Sequence, residues 1–182
     1  MSRPIRLNPL KAIRRVLGRD ELPAGFTGEL EPDERVLAVA PMPDGASCVV
    51  TSWGIWTPDG DGAHRVGWHR VSKAIWDAGV IALVEADEEA AGGAVILTDR
   101  PVRRIRLTEP GRVPEVVQER VTASIRSRHH RELPGGGAWF VQRKVPGRDG
   151  VVLQVRPDPG TDPAAVRQVA SDAAAALGLG PS

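Results

Sequence analysis

The stretch Ser47–Asp77 constrains the fold more than any other part of the sequence. It reads SCVVTSWGIWTPDGDGAHRVGWHRVSKAIWD and holds Trp53, Trp56, Trp68 and Trp76, four of the five tryptophans. Its short apolar runs are separated by Gly, Pro and Asp, which is typical of antiparallel strands joined by tight turns. We therefore expect the centre of a small β-barrel with the tryptophans in its core or at its rim. Which of Trp53 and Trp56 faces outward stays open.

The same alternation of apolar runs and turns extends to both sides of this stretch. Turns are predicted at PMPDG (41–45), PDGDG (58–62) and Ala78-Gly79, and the acidic segment 86–93 is predicted to be a solvated loop. Arg103, Arg104 and Arg106 interrupt the alternation of the last run, which suggests either a bulge or a poorly covered edge strand. The predicted strands are 34–40, 46–53 with 55–57, 64–69 with 71–77, 80–85, 94–98 and 102–107.

After residue 110 the period of the apolar residues changes from that of a strand to that of a helix. Valines and Ile125 at helical spacing predict a helix over 112–130, with His129 and His130 complementing its C-terminal end. Two further strands are expected at 138–145 and 151–156, joined by the turn PGRDG. A final helix is expected over 163–177, capped by Asp162.

These elements predict an α+β chain that is mainly β. We divide it into a basic N-terminal helix and linker (1–30), a barrel with a helix (31–131) and a β-β-α appendage (132–182). The appendage is expected to pack on the barrel, lie beside it or mediate dimerisation, and spacing does not choose among these.

The strand order and three short motifs resemble the bacterial pleckstrin-homology-like (PH-like) family. The motifs are Glu34-Arg35-Val36-Leu37, the apolar run Val49-Val50-Thr51-Ser52, and Trp68-His69-Arg70-Val71 followed by Trp76. The resemblance covers about residues 30–130. It implies a seven-stranded, strongly bent antiparallel sheet or barrel capped by a helix, here followed by a β-hairpin and a C-terminal helix.

The same resemblance implies a scaffold for partner proteins or lipid headgroups and no chemistry. Phosphoinositide binding in the eukaryotic branch depends on basic residues in the loop between the first two strands. Here that loop is PMPDG and contains no Lys or Arg. Phosphoinositide binding is therefore not carried over to this chain.

The first twenty residues are basic and lack an acid before Asp20. Asn8-Pro9 and Gly18 bound a short amphipathic helix in the prediction. This helix either docks on its own domain or contacts a partner or an anionic membrane surface. The candidate interaction residues are Arg3, Arg6, Lys11, Arg14 and Arg15.

Arg103, Arg104 and Arg106 are the other candidate interaction residues. With arginines of the following helix they could form a positive face for nucleic acid or anionic lipid. Arginine is abundant throughout the chain and the net charge is only +1, so scattered surface guanidiniums explain the cluster equally well.

No catalytic, metal-binding or cofactor-binding motif stands out in the sequence. Cys48 is the single cysteine, which excludes an intrachain disulfide, and it lies in an apolar run where a buried thiol is expected. His64 and His69 could ligate metal with Asp59, Asp61 or Asp77, but on one strand the two histidines would point to opposite faces. An enzyme would need a histidine and a carboxylate within hydrogen-bonding reach in one cleft. We therefore predict no catalytic, metal or cofactor residues.

The sequence thus predicts a non-enzymatic interaction module. The expected partners are another protein or a second copy of the chain, with an anionic membrane reached through the N-terminal helix as a further candidate. The alternative is a nucleic-acid- or ribosome-associated protein that uses the arginine-rich strand. With no signal peptide or apolar stretch long enough to span a bilayer, a cytoplasmic location is expected, at the inner face of the membrane if the basic helix binds lipid.

Overall fold

The computed structural model describes residues 21–180. The predicted N-terminal helix, with Arg3, Arg6, Lys11, Arg14 and Arg15, lies outside the described residues. Within them the chain is mainly β with two α-helices, so the predicted α+β class is confirmed. The elements are β1 (Val36–Pro41), β2 (Ser47–Thr51), β3 (Gly54–Asp59), β4 (Gly62–Gly67), β5 (Val71–Asp77), β6 (Val80–Ala91), β7 (Ala94–Asp99), β8 (Arg103–Arg106), α1 (Val113–Ala123), β9 (Ile125–Leu133), β10 (Gly136–Arg143), β11 (Val152–Pro157) and α2 (Pro163–Ala176).

The first sheet is an antiparallel meander in the order β1-β2-β3-β4. The prediction that one strand runs through 46–53 is wrong, because Ser52 and Trp53 form the turn between β2 and β3. Gly54 then begins β3 directly opposite Gly67. A Cβ on Gly54 would lie 2.4 Å from the carbonyl oxygen of Val66, so only glycine allows the two strands to approach this closely.

The second sheet has seven strands in the order β5-β6-β7-β11-β10-β9, and β8 also pairs with β6. Strand β6 is twelve residues long and links two parts of this sheet. Its first half pairs with β5 and β8, and its second half pairs with β7. The registers of β7 and β8 against β6 differ by one residue, and the shift lies in the connection 100–102. The residues Arg103–Arg106 pair with β6 without interruption, so the bulge predicted there is wrong.

The acidic segment 86–93 is largely strand, so its prediction as a loop is wrong. Residues Ala86–Ala91 pair one for one with β7. Asp87, Glu88 and Glu89 are exposed, whereas Ala86 and Ala91 are buried. Pairing with β7 therefore gives hydrogen-bond partners to the main-chain N–H and C=O groups of this segment, although its side chains favour a solvated loop.

The helix predicted over 112–130 ends at Ala123, so its second half is also wrong. Ile125–Leu133 is strand β9, which pairs along its length with β10. His129 and His130, expected at a helix C-terminus, therefore lie within this strand. The predicted strands 138–145 and 151–156 correspond to β10 and β11, and β11 joins β7 in parallel.

Two apolar clusters form the core. The first packs the two sheets against α1 and includes Trp68, Ile55 and Ile81. The second lies beneath α2 and includes Val155 and Val166. As predicted, α2 begins with Asp162, whose carboxylate accepts a hydrogen bond from the amide of Ala164, and Pro163 follows at the first helical position.

The tryptophans divide into buried and exposed members, so the expectation that they form a shared core holds only in part. Trp56 and Trp68 are buried, and Trp53 is half-buried at the turn between β2 and β3. Of the two tryptophans that flank Gly54, Trp56 is therefore the one that faces inward. Trp76 and Trp139 are exposed, by 39% and 38%.

Candidate functional site

The candidate site is the groove between the outer edge of β5 and helix α1. Strand β5 pairs with β6 on one side only. Within residues 21–180 no strand pairs with its other side. The carbonyl oxygen of Val71 accepts from Arg143, and the outward-facing main-chain groups beyond it have no strand partner in this part of the chain, so they can pair with another extended segment.

The groove has a volume of about 500 Å³ and a mostly apolar lining. Ile75 and Trp76 line it and are 46% and 39% exposed, respectively. The edge of β5 is protected at its start by the exposed Lys73 and by a register shift between Val71 and Lys73, whereas the large apolar residues Ile75 and Trp76 further along have no such protection. The lining consists of Ala74, Ile75, Trp76, Ile81, Pro114, Glu115, Val117 and Gln118.

A tight turn fixes the position of β5. Asp77 pairs with Val80, and Ala78-Gly79 forms the two-residue connection with φ angles of 44° and 83°. Two successive positive φ angles are the signature of a type I′ turn, whose twist matches that of antiparallel strands. This register places Trp76 opposite Ile81, a buried core residue that also lines the groove.

Helix α1 forms the other wall. Its buried residues Val113, Val116 and Val117 pack on the first core cluster. Pro114, Glu115 and Gln118 border the groove. The helix therefore supplies a rigid apolar wall, and Glu115 and Gln118 add polar groups that can orient a bound chain.

A second cleft holds a histidine beside a carboxylate. Nε2 of His64 lies 3.4 Å from Oε2 of Glu85, and Asp59 lines the same cleft of about 310 Å³. The guanidinium groups of Arg70 and Arg100 also pair with Glu85, at 3.0 and 3.3 Å. The carboxylate is thus shared among three cationic or ionisable partners, which is the pattern of a structural ion-pair network.

The structure does not bring together the cysteine and histidines that were candidates for nucleophilic or metal chemistry, namely Cys48, His64 and His69. Burial raises the pKa of the Cys48 thiol to about 12, so it is protonated and unreactive at neutral pH. His69 lies in the one-turn 3₁₀ helix Trp68–Arg70, and burial with nearby arginines lowers its pKa to about 4. Across residues 21–180 no three His, Cys, Asp or Glu side chains form a metal-binding group.

The arginines of β8 do not share one face. Arg104 and Arg106 are exposed, and Arg103 projects from the opposite side of the strand. Arg103 instead donates to the carbonyl oxygen of Pro58 at 2.6 Å. Two of the three candidate arginines are therefore available to a ligand on this strand.

Comparison of the chain with protein-family models, with curated proteins and with solved structures found no match. In the described part of the chain, neither helix has the length and apolar character needed to cross a bilayer.

The groove was not predicted from the sequence, because the tryptophans, Trp76 among them, were expected in the core or at the rim of the barrel. One signal was available in the sequence. Ile75 and Trp76 are adjacent, and neighbouring residues of a strand point to opposite faces. A strand covered on one face only must therefore expose one of them. The second is exposed as well because no strand of residues 21–180 pairs with the outer edge of β5.

Proposed function

We propose that this chain is a non-enzymatic PH-like interaction module that binds an extended segment of a partner protein in the groove between β5 and α1. The observation that carries the proposal is the unpaired edge of β5 with Ile75 and Trp76 exposed on it. The bound segment adds one strand to the sheet, so its main chain supplies hydrogen bonds and its alternate side chains enter the groove.

The arrangement of the elements between residues 36 and 123 supports the PH-like assignment. A four-stranded meander is followed by β5, the first half of β6, and β8. Helix α1 then packs against β1, β2 and β5. This order supports the resemblance, which implies a bent antiparallel sheet closed by one helix. Strand β7, between β6 and β8 along the chain, departs from it by pairing in parallel with β11.

A polypeptide fits this groove better than a membrane surface does. Glu115 is the one charged residue in the groove lining, and its carboxylate would repel anionic headgroups. The apolar side chains and the free strand edge together suit a chain with apolar residues at every second position. The proposed occupant is therefore a segment of another protein, and a second copy of this chain is the outcome that the experiment must distinguish.

The experiment is a selection of displayed peptides on the full chain, followed by amide chemical-shift mapping of the selected peptide. We expect selected peptides to carry alternating apolar residues and to perturb β5 and α1. Trp76→Ser should weaken their binding at least tenfold, or about 1.4 kcal/mol. Trp139→Ser is the matched control, because Trp139 is similarly exposed but lies on β10.

Two results would contradict the proposal. Equal loss of binding in both tryptophan variants would show that the peptides bind exposed tryptophans nonspecifically. Concentration-dependent dimerisation that Trp76→Ser abolishes would assign the groove to a second copy of the chain. Sedimentation of both variants separates these outcomes.

The nucleic-acid alternative is favoured by one observation, the exposed pair Arg104 and Arg106 on β8. Neither side chain pairs with a carboxylate within residues 21–180. Binding of RNA or DNA that falls steeply with salt, and that Arg104→Ala weakens, would support it. The engagement of Arg103 by Pro58 leaves this surface with only two of its three predicted arginines.

A further inference from the structure

A basic pocket lies at the C-terminal end of α1, around the turn between β2 and β3. It has a volume of about 360 Å³. It is built from the start of β1, that turn, the C-terminal end of α1 and the connection between β10 and β11. We refer to it as the basic pocket, and its defining residues are Arg35, Ser52, Trp53, Arg120, Lys144 and Arg148.

Main-chain hydrogen bonds hold these distant segments together. The amide of Ser52 donates to the carbonyl of Arg35 at 2.8 Å, and the amide of Arg35 donates to the Ser52 hydroxyl oxygen at 3.0 Å. The amide of Lys144 donates to the carbonyl of Ser124 at 2.9 Å. The pocket is therefore a fixed part of the fold and does not depend on side-chain contacts alone.

Close packing between Gly147 and Trp53 forms one wall. Gly147 has a φ of 74°, and a Cβ there would lie 2.4 Å from the Trp53 ring. Glycine is required at this position by both its backbone angle and the ring. The guanidinium of Arg65 lies 5.4 Å from the centre of the same ring, within cation–π distance. Trp53 is therefore held in place as a wall of the pocket.

The pocket carries an excess of unneutralised positive charge. It contains four cationic side chains and one carboxylate, that of Asp33. Among residues 21–180, none of the four cations forms an ion pair with an acidic side chain. The partial negative charge at the end of α1 offsets only about half of one elementary charge.

Several hydrogen-bond donors in the pocket also lack partners. Nε of Arg120 is buried without an acceptor in the part of the chain that the structure describes. The Ser52 hydroxyl accepts a hydrogen bond and keeps its own proton for donation. An anion in the pocket would accept from the Ser52 hydroxyl and would offset the charge of the Arg120 guanidinium, whose Nε the protein leaves without an acceptor.

The lowered pKa of His69 is independent support for a positive field in this region. Burial is the largest cause, and the charges of Arg70, Arg148, Arg143 and Arg65 add to it. Arg148 belongs to the pocket itself. Arg65 and Arg70 are paired with Glu34 and Glu85, whereas Arg148 forms no ion pair with an acidic side chain of residues 21–180.

We propose that the basic pocket binds a compact phosphate group, with its four cations as charge partners and Ser52 as a hydrogen-bond donor; the cations are Arg35, Arg120, Lys144 and Arg148. Phosphate is favoured over a carboxylate because its several oxygens and its higher charge match four cations. The site is separate from the loop between β1 and β2, where the PH-like resemblance would place a phosphoinositide. It does not rest on the groove described above.

The test titrates the full chain with inorganic pyrophosphate and follows tryptophan emission and calorimetric heat. We expect saturable binding that weakens with salt. The double variant Lys144→Ala/Arg148→Ala should bind at least tenfold more weakly. The matched control is Arg104→Ala/Arg106→Ala, which removes the same charge from exposed positions on β8.

Thermal unfolding of both double variants separates loss of binding from loss of folding. Arg35→Gln is the second variant, and it should also weaken pyrophosphate binding without lowering the unfolding temperature. Equal weakening in the β8 control, or succinate binding as tightly as pyrophosphate, would overturn the proposal. The absence of saturable binding would overturn it too.

A flotation experiment with lipid vesicles identifies the source of the phosphate. Flotation with phosphatidylcholine vesicles that contain phosphatidic acid, competed by pyrophosphate and lost in Lys144→Ala/Arg148→Ala, would assign the pocket to a lipid headgroup. Pyrophosphate binding without flotation would assign it to a soluble phosphate ligand. Both results support the pocket, and neither depends on Trp76.

Discussion

Nη1 of Arg143 in β10 donates to the main-chain oxygen of Trp68 at 2.8 Å, and the oxygen of Val71 lies 3.3 Å from the same atom. Gln154 in β11 reaches the neighbouring carbonyl of His69 at 2.7 Å. Two side chains of the C-terminal strands therefore hold the 3₁₀ turn that leads into β5. Through this turn the C-terminal strands help to position the groove.

Arg143→Met should destabilise the protein by about 2–4 kcal/mol, because it leaves carbonyl oxygens of Trp68 and Val71 without their donor. Burial lowers the pKa of Arg143 to about 10, so its charge is already disfavoured and part of the loss is offset. Urea unfolding measures the change. Arg131→Met, at an exposed position on β9, is the control, and an equal loss in both variants would contradict the assignment.

Glu34→Gln should also cost about 2–4 kcal/mol. The carboxylate is buried: Oε1 accepts from the Thr51 hydroxyl at 2.5 Å and from the Trp56 indole at 2.9 Å, and Oε2 pairs with Arg65. Glutamine keeps one acceptor oxygen, but its amide nitrogen cannot accept, so either Arg65 or the Thr51 and Trp56 donors lose their partner. Thermal unfolding tests this. Glu132→Gln, whose side chain is 88% exposed, should leave the melting temperature unchanged.

Protonation of His69 alone should lower the free energy of unfolding by about 2 kcal/mol as the pH falls from 6.5 to about 4. Its pKa is about 4 in the folded chain and 6.5 when exposed, so in this interval the unfolded chain binds a proton that the folded chain does not. His69→Gln should flatten this part of the profile in urea unfolding at a series of pH values. His129→Gln, on exposed β9, should not.

Ala78→Asn should stabilise the protein by about 0.5 kcal/mol, or raise its melting temperature by about 1–2 °C. Ala78 has a φ of 44°, a region that costs alanine energy and that asparagine adopts more readily, as in the Asn-Gly turns of hairpins. Ala24→Asn is the control, because Ala24 is exposed and lacks a positive φ. A lower melting temperature for Ala78→Asn would refute the turn assignment.

Where turn chemistry is explicit, the sequence predicts the fold well. PDGDG and Ala78-Gly79 become the hairpins β3–β4 and β5–β6, and Asp162-Pro163 begins α2. The errors arise where long-range pairing overrides local preference. The second half of β6 is acidic and rich in small residues, and Ile125–Leu133 is highly charged, yet each becomes a strand because a neighbouring strand pairs with it.

The two sites were less predictable than the fold. The groove depends on which edge of β5 stays unpaired, and the basic pocket combines Arg35, Arg120 and Arg148 from distant parts of the sequence. Only tertiary contacts bring such residues together. The candidate arginines named from the sequence were neighbours along the chain, and Arg103 proved to be engaged by Pro58.

The parallel pairing of β7 with β11 has a consequence for how the chain folds in time. The other ladders of the second sheet join strands that are near one another along the chain, whereas this one joins Ala94 to Leu153. Hairpins of nearby strands form early, and closure of a long loop is slow because its entropy is lost before the new contacts form. We expect the early hairpins on either side to form independently, and the docking of β11 on β7 to set the refolding rate.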